Sequence, residues 1–311
     1  MLNQLGTANV LVLDSGNALF RNAGVATADD QKRATLILGV MDELGTRAMA
    51  VGQRDLAAGT VFLEGLAKGR KLKLLSANLK RGGQRLFEAG VVIDAGGVKV
   101  GLVGLTAPGP VAPNEKDVVA GATLEAARAA LKVLGPRDVT IVLAATSYAD
   151  AMQLSTELKG DVDFVMQSGE YRGTQPAQRM EEGAALLLAS AQKGQALGKL
   201  QLTLDKGKGG FVDLSLGDRD RQQLDFVGQQ VTTLEDRVRA AKDKTATADL
   251  RRTLGDLKRR QQELATALAQ KSGATGKTAK LEWVLLGQDV ADDPKLKAKV
   301  LQIEPTYAGS H

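Results

Sequence analysis

From residue 8 to about residue 190 the chain alternates apolar runs of strand length with segments of helical period, and that alternation restricts it to a layered α/β architecture. "ANVLVLD" (8–14) is a short apolar run closed by Ser-Gly, as expected of a buried parallel strand. "DDQKRATLILGVMDELG" then carries Ala34, Leu36, Ile37, Val40, Met41 and Leu44 at helical spacing, opens on acidic residues and ends at a glycine. "RAMAV" and "LKLLSANL" read as the next two strands, and "GVVIDAGGVKVGLVGLT" as a hairpin about Gly96-Gly97. A helix over "ATLEAARAALKVLG", a strand at "DVTIVLAAT", a helix over "YADAMQLSTEL" and a strand at "DVDFVMQS" complete the series. The order predicts a substantially parallel central sheet.

After Gly183 the pattern shortens to "AALLLASA", "LGKLQLTLD" and "GGFVDLSLG". The last two flank Lys-Gly-Lys-Gly-Gly and are expected to pair antiparallel. At Asp218 the pattern changes abruptly. Leu224, Val227, Val231, Leu234 and Val238 recur in steps of three and four, the seam of a coiled coil. Leu250, Leu254, Leu257, Leu264 and Leu268 keep the register in a second run, with Gln261 in a seam position. "KDKTATAD" between them is polar and of a length that joins antiparallel helices. Each arm would be about 35 Å long at ~1.5 Å per residue. The chain then returns to a strand, "LEWVLLG", and a last helix, "DDPKLKAKVLQI", so the hairpin reads as an insertion. It either braces the domain or projects to meet a partner. The expected organisation is one domain over 1–217 and 279–303, an inserted hairpin over 218–272 and a flexible tail over 304–311.

Composition narrows the function classes. With 43% hydrophobic and 25% charged residues the chain is globular rather than disordered. Only 3% is aromatic, and the net charge of +5 is spread out, so the stacking platforms of a nucleic-acid binder are missing. "KGRKLK" (68–73) reads as a solvated helix end. The absence of cysteine removes disulfides, thiolate metal sites and a cysteine nucleophile. No run is apolar and long enough to span a bilayer, and no secretory signal is read at the start.

The segments "VLVLDSGNALF", "LGTRAMAVGQRDLAAG", "LKLLSANL", "VKVGLVGLT", "VTIVLAATSYAD" and "VDFVMQSGEYRG" follow one another in an order and spacing that resembles the calcineurin-like metallophosphoesterases, above all the amino-terminal domain of bacterial 5′-nucleotidases. The likeness covers roughly residues 6 to 216. It implies a layered, metallophosphoesterase-like β-sandwich with flanking helices, to which an antiparallel coiled-coil hairpin has been added. In that family Asp, His and Asn side chains at strand ends hold two divalent metals, which polarise the phosphoryl group and supply a hydroxide.

Those ligands are largely replaced here. The resemblance places the family's first Asp-x-His motif before residue 1. Its "GD" motif falls at Gly16-Asn17, an amide in place of the bridging carboxylate, and "GNH(E/D)" falls at Gly52-Gln53-Arg54-Asp55. A ligand histidine is replaced by Ala145, and "GGH(S/T)H" by Gln167-Ser168-Gly169-Glu170-Tyr171. The one histidine is His311, which cannot serve several loops, and arginine cannot deprotonate to become a ligand. Asp14, Gly16, Gly52 and Asp55 remain and are explained by loop structure. Asp14, Asn17, Asp55, Asn78 and Glu170 at one sheet edge leave a single weak oxygen site for Mg or Ca geometrically open, and Arg54 leaves anion binding open.

The expectation is therefore a catalytically inactive relative with no catalytic residue, metal or cofactor. Its vestigial cleft would be lined by Asp14, Asn17, Gln53, Arg54, Asp55, Asn78, Glu170 and Tyr171, with the Arg54 guanidinium in the old metal space, paired with a carboxylate or holding an anion. A protein partner would be met through the hairpin, with no nucleic acid, and the resemblance implies the periplasm or cell envelope. The alternatives are a phosphoesterase with an atypical site and a nucleotide or phosphate sensor.

Overall fold

A computed structural model describes residues 9–189, 194–204, 209–215, 217–240, 244–272, 276–287 and 290–306. It divides into two compact units, Met1–Leu197 with Trp283–His311, and Gly198–Glu282.

The first unit opens with β1 (Val12–Asp14), α1 (Ala28–Glu43), β2 (Thr46–Ala50), α2 (Thr60–Ala67) and β3 (Lys73–Leu75), and its three strands form a parallel sheet in order β1-β2-β3. β4 (Leu79–Arg81), β5 (Gln84–Arg85), β8 (Gly109–Pro110) and β9 (Val118–Ala120) make a small antiparallel sheet. β6 (Gly90–Ala95), β7 (Val98–Thr106), α3 (Thr123–Val133), β10 (Val139–Ala145), α4 (Tyr148–Glu157), β11 (Phe164–Ser168) and β12 (Leu186–Ala189) supply the largest sheet, in order β12-β11-β10-β7-β6. Only the β6–β7 hairpin in it is antiparallel. All seven residues of β10 are buried, as the centre of a sheet covered on both faces requires. Where β3 ends, its backbone lies against β7: a Cβ on Gly104 would stand 2.4 Å from the Leu75 carbonyl oxygen.

Local chemistry sets the helix starts. Thr27 caps α1 in a reciprocal box, its hydroxyl accepting from the Asp30 N–H while the Asp30 carboxylate accepts from the Thr27 N–H at 3.0 Å. Ser147 accepts from the Asp150 N–H and starts α4. The cap of α2 is instead remote: Glu115 accepts from the Thr60 N–H at 3.0 Å and its hydroxyl at 2.7 Å, and pairs with Arg81 at 2.8 Å. No local side-chain cap marks the start of that helix.

The second unit contains α5 (Gly217–Ala240), α6 (Lys244–Ser272) and most of a sheet in order β13-β15-β14. Those strands are β13 (Ala196–Thr203), β14 (Val212–Asp213) and β15 (Thr278–Leu285). Val227, Val231 and Leu264 form the buried seam between the helices, flanked by Leu224, Leu254 and Leu257. Glu235 pairs with Lys258 at 2.6 Å, and a Cβ on Gly228 would meet Gln261. Numbers thus rise along one helix as they fall along the other, and the two run antiparallel. The final helix, α7 (Pro294–Ile303), belongs to the first unit and is capped by Asp293.

Three expectations are corrected. "LKLLSANL" is not one strand: the chain bends at Ala77 and Asn78, and β3 and β4 join different sheets, because Asn78 draws the segment toward Thr106. β13 and β14 do not pair with each other. β15 lies between them, parallel to β14, with the central turn at 205–208 outside the described residues. "KDKTATAD" is not all connection, since α6 already begins at Lys244. It holds neither Gly nor Pro, and its Ala and Lys favour helix. Of the tail at 304–311, residues 307–311, with His311, lie outside the described residues, while Glu304 accepts from Arg33.

Candidate functional site

The carboxyl ends of β1, β2, β10 and β11 converge on a floor of small residues. Gly16 follows β1 with φ 93°, and a Cβ there would stand 2.5 Å from the Ala50 carbonyl oxygen and 3.0 Å from the Ala145 Cβ. Asn17 has φ 62°, alone in the left-handed region among the described residues other than glycine, and asparagine is a residue that tolerates it. Its side chain lies flat on Gly52, where a Cβ would come within 2.4 Å of its Cγ. Gly169, after β11, meets the Asn17 amide from the other side. Ser168 Oγ donates to the Ser15 carbonyl at 2.6 Å and ties β11 to the β1 loop.

At the centre is Asp55, fully buried. One carboxylate oxygen accepts from the Asn17 N–H at 2.7 Å and the Gly52 N–H at 2.8 Å, the other accepts from the Leu19 N–H at 2.9 Å, and the Ala18 amide adds to the set. Burial pushes its pKa up, against these amides, which favour the charged form. Asp55 therefore works as a pin between the loops after β1 and β2. Asp14 accepts from the Gly16 N–H at 2.7 Å. Burial of its carboxyl, opposed by that hydrogen bond and assisted by the nearby Asp55, raises its pKa to about 6.

The other candidates divide between architecture and open surface. Asn17 Oδ1 accepts from the Arg54 backbone N–H at 3.1 Å. Asn78 is buried and uses its whole amide: Nδ2 donates to the Thr106 and Gly121 carbonyls, and Oδ1 accepts from the Thr106 N–H and the Ser76 hydroxyl. Gln53, Glu170 and Tyr171 are exposed. Arg54 is half-buried, and among the described residues its guanidinium has neither a hydrogen bond nor an ion pair. The pairing expected of it with Asp14, Asp55 or Glu170 is not made, because the Asp55 oxygens are taken by amides.

Sequence reasoning missed the polar framework behind the floor. Thr106 Oγ1 donates to the Val51 carbonyl at 2.6 Å and meets the Ser76 hydroxyl at 2.8 Å. Gln167 is buried with Nε2 on the Thr146 carbonyl, and its Oε1 is the buried side-chain atom left without a partner among the described residues. Their only sequence signal is polarity at strand ends. Nearby, Arg172 stacks over Tyr148 at 4.1 Å.

The two metals implied by the resemblance do not fit this arrangement. Asp55 and Asn17 have their oxygens committed to backbone amides, Ala145 and Gly169 offer no donor side chain, and among the described residues no three His, Cys, Asp or Glu side chains come together.

No protein-family profile matches the chain, and no curated protein does. Solved structures do. A 5′-nucleotidase precursor from Thermus thermophilus superposes with a TM-score of 0.53 at 24% identity, over 66% of this chain and 44% of that one. The NAD nucleotidase of Haemophilus influenzae gives 0.52 at 18%, over 67% and 46%. A 5′-nucleotidase from Staphylococcus aureus, described as unconfirmed in function, gives 0.52 at 12%, over 86% and 44%. The chain thus spans less than half the length of each of these three structures. At these identities the likeness defines architecture: the chain has the mixed α/β fold of the 5′-nucleotidases and NAD nucleotidase, in keeping with its resemblance to the calcineurin-like metallophosphoesterases.

Proposed function

We propose that this protein is a catalytically inactive metallophosphoesterase-like protein that works as a binding or scaffold protein in the cell envelope, with the α5–α6 hairpin, read as a coiled coil, as its partner-contact surface. The observation that carries the reading is what stands beside Asp55: the resemblance puts a bridging carboxylate at Asn17, and the amide found there already accepts from the Arg54 backbone N–H with its Oδ1, while Asp55 pins the loops. A carboxylate whose two oxygens accept from a ring of backbone amides holds loops together and has little left to offer a cation. Arg54 stands where the family has its histidine and brings a fixed positive charge beside this pin.

Purified protein is expected to show no turnover of p-nitrophenyl phosphate, bis-p-nitrophenyl phosphate or 5′-AMP with Mn, Mg, Co or Zn added. Metal-dependent turnover that tracks the protein and is lost in the Asp55→Ala/Asn17→Ala variant would restore the enzyme. For the scaffold role, residues 217–272 are replaced by a flexible link. The replacement should abolish partner capture from the native organism and hardly move the melting temperature of the first unit, whereas a collapse of that unit makes the hairpin a brace. A second reading, a phosphate or nucleotide sensor, is favoured by the unpaired Arg54 guanidinium. It predicts that 5′-AMP or inorganic phosphate protects the Arg54 loop from hydrogen exchange without being consumed.

A further inference from the structure

One face of the hairpin is patterned with a regularity that its own packing does not use. The residues of α6 turned toward α5, Leu254, Leu257, Gln261, Leu264 and Leu268, are partly or fully shielded. Away from that seam Arg251, Arg252, Lys258 and Arg259 are exposed. They form two rows, 251 with 258 and 252 with 259, each repeating after seven residues. At 3.6 residues per turn such a repeat returns to nearly the same face ~10.5 Å further on.

An uncharged lane separates the rows. Ala248, Gly255 and Gln262, again seven apart, are exposed, and a Cβ on Gly255 would meet nothing within 4 Å. From Arg251 round the helix the order is Gly255 at about 40°, Arg259 and Arg252 at about 80–100°, and Asp256 at about 140°. The acidic residues Asp249, Asp256 and Glu263 keep the same seven-residue period in a row of their own, beyond the arginines. One member of each row is neutralised within the hairpin: Lys258 pairs with Glu235 of α5 at 2.6 Å and Arg259 with Asp256. Arg251 and Arg252 have no ion pair among the described residues.

Charged helix faces are often merely solvated, so the period decides what the strip could fit. Phosphates in a duplex strand recur every ~3.4 Å along the axis but wind around it, so three steps, ~10.2 Å, carry them about 100° out of line with a straight row, and a lipid surface imposes no period at all. A second α-helix lying along α6 repeats in step, and the small side chains at Ala248 and Gly255 let its backbone approach there. We propose that the outer face of α6 is a docking strip for an acidic α-helix of a partner protein, one carrying Asp or Glu at seven-residue intervals opposite Arg251/Lys258 and Arg252/Arg259. This rests on the reading of the hairpin as the contact surface and adds the chemistry of what it contacts.

The test uses the full chain and three probes at low salt, read by fluorescence anisotropy or co-sedimentation: a three-heptad helical peptide with glutamates seven apart, an isomer of the same composition with the glutamates scrambled, and phosphatidylglycerol vesicles. The registered peptide should bind about fivefold more tightly than its isomer, the effect of a few exposed ion pairs acting together. Arg251→Glu/Arg252→Glu should erase that preference with unchanged helicity by circular dichroism. Arg251→Gln/Arg252→Gln should do the same if the charge reversal disturbs the helix. Equal binding of the two peptides overturns the proposal, as does vesicle binding without peptide selectivity. Should selectivity fail while removal of residues 217–272 still abolishes capture, the docking strip falls and the scaffold reading stands.

Discussion

Asp14 and Asp55 sit side by side at the floor of the cleft and meet opposite fates. Asp55 is ringed by backbone amides, whereas Asp14 has one hydrogen bond, from Gly16, against the cost of burial. A folded-state pKa of about 6 against an unfolded value of 3.8 means that the native state holds this proton more tightly. The contribution of Asp14 is then fully present below about pH 4 and is lost as pH rises through 6. Asp14→Asn keeps the acceptor for the Gly16 N–H and removes the buried charge. The variant should be more stable than the parent by about 1–2 kcal/mol at pH 7, with the gap closing toward pH 4. Urea melts of both proteins across this range check the sign, and a gap that widens on acidification would show that Asp14 is stabilised as a carboxylate. The sequence placed Asp14, Asn17, Arg54 and Asp55 at neighbouring strand ends. It could not say that Asn17 Oδ1 and both Asp55 carboxylate oxygens serve main-chain donors, because those partners are backbone atoms that carry no residue signature.

At the scale of elements, the legible parts were those whose signal is local. The Gly96-Gly97 hairpin, the capped helix α1 and the run of β10 follow from short-range pattern and stand where it put them. α2 is legible only at its end, in "KGRKLK", because the cap of its start, Glu115, lies 55 residues from Thr60. The pairing of β13 with β14 was misjudged because a glycine-rich turn signals proximity in sequence, while β15 arrives from residue 278 to lie between them. This pairing also gives α5 and α6 a topological role. β14 and β15 are parallel, and a parallel pair needs a return connection of a dozen residues or more. The two helices are that connection, so a link replacing them must be of comparable minimum length, not a tight turn. Within the helices Gln261 takes a seam position, and Gly228 leaves it room. A polar group in a seam fixes register at a cost in stability. Gln261→Leu should therefore slow hydrogen exchange in α5 and α6 by an amount equivalent to about 1 kcal/mol, and faster exchange would show that Gln261 is satisfied where it stands.

The whole molecule shows where apolar packing gives way to charge. In the first unit the sheets bury two apolar clusters, one around Leu38, Met49 and Leu63, the other around Val103, Val142 and Leu154. α7 has no buried residue. It is tied to α1 by Lys299 on Glu43 at 2.9 Å, and Glu304 just beyond it pairs with Arg33 and, at 3.8 Å, with Arg21. Exposed pairs of this kind are worth roughly 0–1 kcal/mol each and are screened by salt. Hydrogen exchange in α7 should accelerate in 1 M NaCl, where the Debye length falls to ~3 Å, while β10 stays protected. Uniform exchange in both would mean that α7 is held by contacts other than charge.

The chain has one tryptophan, Trp283, and its indole N–H donates to the Gln175 carbonyl at 2.7 Å. Gln175 lies in the segment that follows β11 and carries Glu170, Tyr171 and Arg172. Indole emission shifts with the polarity and hydrogen bonding of its surroundings, so the molecule contains its own optical probe of that segment. Any compound that displaces it from Trp283 announces itself in the intrinsic fluorescence of unlabelled protein, and a library can be screened against the cleft before a single ligand is known.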